Sequence, residues 1–180
     1  MDSYQSFGVQ NPPNASQFQE IYMVMEKAFP KEERRDAAGQ KTVLDNPSYR
    51  LLARENDGRI TAFFAYWELK DFWFGEHFAV EESLRGQGIG GVMLDRLCRA
   101  CPMDFILEVE PPETEIAGRR IRFYEKHGFH LNPYPYEQPA LQAGTEPIPL
   151  LIMSHSHPLS PRRFEAVRAE LYKKVYQRKD

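Results

Sequence analysis

The segment Arg85-Gly86-Gln87-Gly88-Ile89-Gly90 is the part of this chain best suited to holding a phosphate. It follows an apolar run at residues 74–80 and precedes a helical pattern of Val92, Met93, Leu94 and Leu97. A glycine-rich turn between a strand and a helix start lets backbone N–H groups approach an anion, and the helix dipole favours its charge. Two templates fit. Gly86, Gly88 and Gly91 satisfy the dinucleotide fingerprint G-x-G-x-x-G, with Glu108 about twenty residues on, where an acid would bind a ribose hydroxyl. Arg85, Gly88 and Gly90 satisfy R/Q-x-x-G-x-G/A instead. Cys98 and Cys101 form a C-x-x-C, but at the expected C-terminal end of a helix, where a thiolate gains nothing from the dipole. With no second C-x-x-C to complete a zinc site, they read as packing residues. His155 and His157 sit where a strand runs out and read as surface positions, so no metal site is expected.

These residues need a scaffold, and the hydrophobic periods supply one. Phe18, Ile21, Tyr22, Met25 and Phe29 recur at helical spacing, predicting a helix from a Ser16 cap to about Phe29, stopped by Pro30. A more polar helix is predicted over 31–45. Two β-like runs, 49–55 and 59–69, flank the hairpin signal Asn56-Asp57-Gly58, and a third follows at 72–80, giving an antiparallel meander. The phosphate loop and its helix occupy 87–100, followed by a strand at 105–110, a helix at 117–127 and a strand at 150–155. Pro161 opens a last helix with Phe164, Val167, Leu171 and Val175 on one face. Lys173, Lys174, Arg178 and Lys179 at its end suit helix C-terminal electrostatics. Residues 1–14 read as an irregular leader, and the proline-rich stretch 132–148 as a long loop. The order predicts a single α+β (mixed α/β) domain over 1–180 with one central sheet.

Composition is consistent with this. The 180 residues are 42% hydrophobic and 27% charged, as expected of one globular domain. A net charge of -3 gives no reason to expect a nucleic-acid partner. No apolar run reaches membrane-span length and the N-terminus lacks signal-peptide regions, so the expected location is cytoplasmic, off the membrane.

The setting of the glycine loop decides between its templates. A dinucleotide-binding strand runs almost directly into its first glycine, whereas Glu81-Glu82-Ser83-Leu84-Arg85 intervenes here. That strand also closes an antiparallel meander, and the remaining chain is too short for a doubly wound domain plus a substrate domain. Residues 77–90 resemble the strand, loop and helix start of the GNAT superfamily of acyl-CoA-dependent N-acetyltransferases. Leu107-Glu108-Val109 resembles the next strand of that family, and Phe123-Tyr124-Glu125-Lys126-His127-Gly128-Phe129 its F-Y-x-K-x-G-F helix ending. The chain departs from the family at Ala117 and Arg120, where Asn and Ala are frequent, and in carrying Pro111-Pro112, so an Asn contact to the cofactor is not carried over.

The resemblance implies a GNAT-like, mostly antiparallel central sheet flanked by helices, with splayed strands forming an acyl-CoA cleft. It implies acetyl-CoA as cosubstrate, with Gly86, Gln87, Gly88, Ile89, Gly90 and Gly91 around the pyrophosphate and Arg85 adding charge. Backbone groups of Phe78, Ala79 and Val80 would pair with the pantetheine arm, and the Phe78 N–H would face the thioester oxygen. The acceptor would be a primary amine, which arrives protonated at a pKa of about 10.4 and needs a base. Glu76 is the first candidate, because strand alternation puts it on one face with Phe78 and Val80 and puts His77 on the other. Glu108 and Glu110 are the alternatives. By resemblance Tyr124 is the acid that protonates the leaving thiolate. Tyr134 and Tyr136 are expected to line the acceptor site. A catalytically silent acyl-CoA-binding module is the second reading, and an NAD(P)-dependent oxidoreductase the third. The sequence leaves the acceptor and the oligomeric state open.

Overall fold

Local signals set most element boundaries. In the computed structural model, which describes residues 2–177, Asn14 caps helix α1 (Ala15–Ala28) by accepting from the Gln17 N–H, and Gln17 reaches back to the Asn14 N–H. The helix therefore starts before Ser16. Asp57 and Gly58, with φ of 51° and 78°, make the tight turn between β2 (Tyr49–Asn56) and β3 (Arg59–Glu68). The meander closes with β4 (Phe72–Val80). Then come α3 (Ile89–Ala100), β5 (Asp104–Val109), α4 (Glu115–Lys126), β6 (Phe129–Gln138), β7 (Ile148–His155) and α5 (Pro161–Lys174). The Thr114 and Ser160 side chains cap α4 and α5. Arg178 and Lys179, read as the end of the last helix, lie outside the described residues.

Among the described residues the strands, with β1 at Asp2–Phe7, form one seven-stranded sheet, ordered β1-β2-β3-β4-β5-β7-β6. Every neighbouring pair is antiparallel except β4 and β5, which α3 connects. Side-chain alternation along β3 divides the core. Phe63, Ala65 and Trp67 pack with α1, α2 (Ala37–Val43) and α5, while Ala62, Phe64 and Tyr66 pack with α3 and α4. Truncating Phe63, Phe64 or Trp67, all essentially inaccessible to solvent, would cost about 3–5 kcal/mol each.

Three expectations are corrected. The leader is not irregular throughout: Asp2–Phe7 forms β1, paired with β2 and anchored by buried Phe7. The second helix is interrupted. A 3-10 turn at Lys31–Glu33 gives way to extended backbone at Arg34 (φ -138°, ψ 160°), and α2 begins only after Asp36, whose side chain accepts from the Gly39 N–H. The proline-rich stretch is not all loop, since residues up to Gln138 belong to β6. Its prolines are tolerated because β6 is an edge strand and its pairing with β7 is broken between Asn132 and Tyr136, where Pro133 and Pro135 sit.

The sheet is open at its middle. β4 and β5 pair only from Phe72 opposite Asp104 to Gly75 opposite Leu107. Beyond that the two strands part, and residues 77–80 are paired with a strand only on the β3 side. No helix among the described residues is long and apolar enough to cross a membrane.

Candidate active site

The parting strands frame a cleft of about 560 Å³. The phosphate loop forms one end of it. After β4, a 3-10 turn at Glu82–Leu84 leads to Arg85, whose Nε–H donates to the Val80 carbonyl at 3.2 Å and ties the loop to the strand end. Gly86 and Gly88 then take φ of 81° and 79°, a left-handed conformation that costs other residues about 1–2 kcal/mol. Gly88 is also the N-cap of α3 and supplies no side chain, so the first-turn N–H groups have no intrahelical acceptor and face outward. A Cβ on Gly90 would lie 3.1 Å from Phe78 Cζ. Of the cofactor-binding set expected from sequence, Phe78, Ala79, Val80, Arg85, Gly86, Gly88, Ile89, Gly90 and Gly91 all line the cleft, and Gln87 does not.

The carboxylates are arranged differently from the sequence expectation. β3 pairs Ala65 with His77 but Tyr66 with Gly75, so Glu76 is the extra residue of a β-bulge. Simple alternation fails there. Glu76 and His77 both turn toward the segment between α1 and α2, while Phe78 stacks on Phe64 at 4.6 Å on the other face. Arg35 donates to both Glu76 oxygens at 2.8 Å, and His77 Nε2 donates to the Glu33 carbonyl at 2.7 Å. The Glu76 side chain is 2% exposed, so what the residue shows to the cleft is backbone. Burial alone would raise its pKa. The Arg35 charge and hydrogen bonds, with His77, more than reverse this and hold the carboxyl well below the usual range.

Glu108 is the opposite case. It shares its face of β5 with Ile106, toward α1 and α5, and lines the cleft where the strands part. Burial pushes its carboxyl up to about 7, against hydrogen bonds from Tyr136 and Tyr176 that lower it, and Glu76 adds to the rise. Tyr136 donates to Oε1, and the Tyr176 hydroxyl lies 2.8 Å from both oxygens. Glu110, the other alternative, accepts from Arg120 Nη1 at 2.5 Å, with both side chains partly exposed.

Tyr124 closes the other face. It packs beside Phe123 and Phe129 and lines the same cleft. Burial pushes its hydroxyl up to about 12, so the phenol keeps its proton at neutral pH. Tyr134 and Tyr136 separate. Tyr136 reaches Glu108, whereas Tyr134 donates to the Leu159 carbonyl and stacks near Phe164, away from the cleft. Cys98 and Cys101 are free thiols, with burial pushing Cys98 up to about 12. His157 is exposed beside Asp104, while His155 is half-buried against Phe129. Arg35 and Tyr176 were missed from sequence. They are 41 and 68 residues from their carboxylate partners, and no local pattern marks them.

Comparison with known proteins matches residues 47–131 to the Acetyltransferase (GNAT) domain family. A solved structure from Bacteroides thetaiotaomicron, assigned to the GNAT acetyltransferases, superposes with a TM-score of 0.87 at 30% identity, over 98% of this chain and 99% of its own. The chain belongs to the GNAT acetyltransferase family. A curated relative named as an acetyltransferase, YjbC of Bacillus subtilis (strain 168), is 28% identical over 123 residues, or 67% of this chain. That match spans 62% of the length of YjbC. A GNAT acetyltransferase from Elizabethkingia anophelis, solved with acetyl-CoA bound, shares the fold with a TM-score of 0.56 at 15% identity, covering 86% of this chain and 97% of its own. The GNAT sheet of this chain is nearly all antiparallel, unlike the parallel βαβ unit that the dinucleotide fingerprint requires.

Proposed function

We propose that this protein transfers an acetyl group from acetyl-CoA to a primary amine by direct attack, with Glu108 as the base and Tyr124 as the acid. The observation that carries the reading is the cleft between β4 and β5, which has the phosphate loop at one end, Glu108 toward the α1/α5 face and Tyr124 toward the α3/α4 face. The pyrophosphate fits the free N–H groups at the start of α3, with Arg85 alongside. The pantetheine arm is an amide chain, and residues 77–80 offer it a strand edge already paired on its far side. Acetyl-CoA thus enters along α3 and α4, and the amine approaches from the opposite face.

This division suits the proton movements. An amine with a pKa of about 10.4 arrives charged, and a carboxyl raised to about 7 is about half ionised at neutral pH and is a stronger proton acceptor there than an ordinary carboxylate. Glu76, held far lower by Arg35, lacks that basicity. On the cofactor side, collapse of the tetrahedral intermediate expels a thiolate, and Tyr124 holds the proton it needs. The experiment is a thermal-shift series with acetyl-CoA, CoA and NADH, followed by thiol release over a panel of amines. Stabilisation by acetyl-CoA and amine-dependent thiol release are expected. Stabilisation by NADH alone would overturn the reading.

A further inference from the structure

The carboxylate read above as the base is held by groups that lie far from it in the chain. After the last turn of α5, the Val175 and Tyr176 N–H groups both hook back onto the Leu171 carbonyl, at 2.9 and 3.1 Å. The hook turns Tyr176 inward, over the face where Phe164, Val167 and Leu171 are buried. Its hydroxyl reaches Glu108 at 2.8 Å from each oxygen, while Tyr136 of β6 donates to Oε1. Tyr172, one turn earlier, donates to the Glu137 carbonyl at 2.8 Å and braces β6 beside Tyr136.

We propose that Tyr176 is a positioning residue for acetyl transfer: it fixes the rotamer of Glu108 and selects its ionised form, so that the base is complete only when the C-terminal turn is docked. The inference rests on the assignment of Glu108 as base. A hydroxyl centred on both carboxylate oxygens donates more strongly to the anion than to the protonated acid, and so favours the ionised form. The remaining groups facing Glu108 do not replace it. Glu76 on β4 is of like charge and committed to Arg35, and the cross-strand neighbour on β7 is Ile152. With Tyr176 absent, burial and Glu76 act against a single remaining donor, Tyr136.

The test uses the full chain. In Tyr176→Phe, the acid limb of the kcat–pH profile should move up by about one pH unit, giving about tenfold less activity at pH 6.5 and near-normal activity at pH 8.5, with the KM for acetyl-CoA unchanged. A purely structural role would lower the melting temperature and leave the limb in place. Should Tyr176→Phe fold poorly, Tyr136→Phe removes the companion donor and should move the limb the same way. A limb that coincides with wild type in both variants, while Glu108→Gln loses its activity, overturns the positioning role alone. A Glu108→Gln enzyme with wild-type rate and profile overturns the base assignment and this inference with it.

Discussion

Replacing Arg35 by methionine isolates the buried ion pair at the β4 bulge. The Arg35 side chain is 10% exposed and the Glu76 side chain 2%, and the guanidinium donates to both carboxylate oxygens at 2.8 Å. Methionine keeps much of the volume and leaves the buried Glu76 carboxylate with only His77 beside it, which costs about 3–5 kcal/mol. For a chain of this size each kcal/mol moves the melting temperature by about 2–4 °C, so the expected loss is about 6–20 °C. The pH dependence has a definite sign. In the wild type the Glu76 pKa is depressed, so its contribution is present above the unfolded value of about 4.3 and is lost as pH falls through the folded value. In Arg35→Met, burial dominates and the folded pKa rises above the unfolded one, so the variant recovers as Glu76 protonates. The stability deficit should therefore be largest at pH 7–8 and narrow toward pH 5, as read by urea melts at each pH. The double variant Arg35→Met/Glu76→Gln removes both charges and should regain most of the loss at pH 7. A single variant that costs less than about 1 kcal/mol, or a double variant no more stable than the single, would refute the argument.

Other consequences are open to direct measurement. Glu108→Gln should lower kcat by about 10²–10⁴-fold and abolish the acid limb near pH 7. It should also melt no lower than wild type at pH 8, because a folded pKa raised above the unfolded one makes the ionised carboxylate destabilising there. Tyr124→Phe should lower kcat while calorimetry finds acetyl-CoA affinity unchanged; full turnover in that variant would remove Tyr124 as the acid. Gly88→Ala forces a Cβ onto a residue at φ 79°, costing about 1–2 kcal/mol of strain at the start of α3, and should weaken acetyl-CoA binding more than it weakens folding.

The sequence showed the parts of this molecule whose causes are local. The glycines at 86 and 88 follow from left-handed backbone, the Asn56-Asp57-Gly58 turn from its hairpin geometry, and the helical faces from hydrophobic spacing. The rest depends on non-local pairing. A bulge is one residue of slip between two strands and has no composition of its own, so alternation placed Glu76 on the face of Phe78 when it belongs with His77. β6 was hidden because prolines argue against a strand until its edge position and pairing break are known. β1 was hidden because a short edge strand with one buried aromatic carries little hydrophobic period. The groups that set Glu76 and Glu108 apart, Arg35 on the one and Tyr176 on the other, lie 41 and 68 residues away in the chain, and only the folded chain brings them together.

The opening between β4 and β5 also bears on aggregation. An unpaired strand edge at the rim of a sheet is a template for another chain, and proteins usually blunt it with charge, proline or a covering helix. Here an unpaired edge lies in the interior, between one layer carrying α1, α2 and α5 and another carrying α3 and α4. A slender amide chain can slide along it, whereas a neighbouring protein's strand, with side chains on both sides, meets those helices first. The fold can thus leave backbone hydrogen bonds unmade at its centre without inviting self-association.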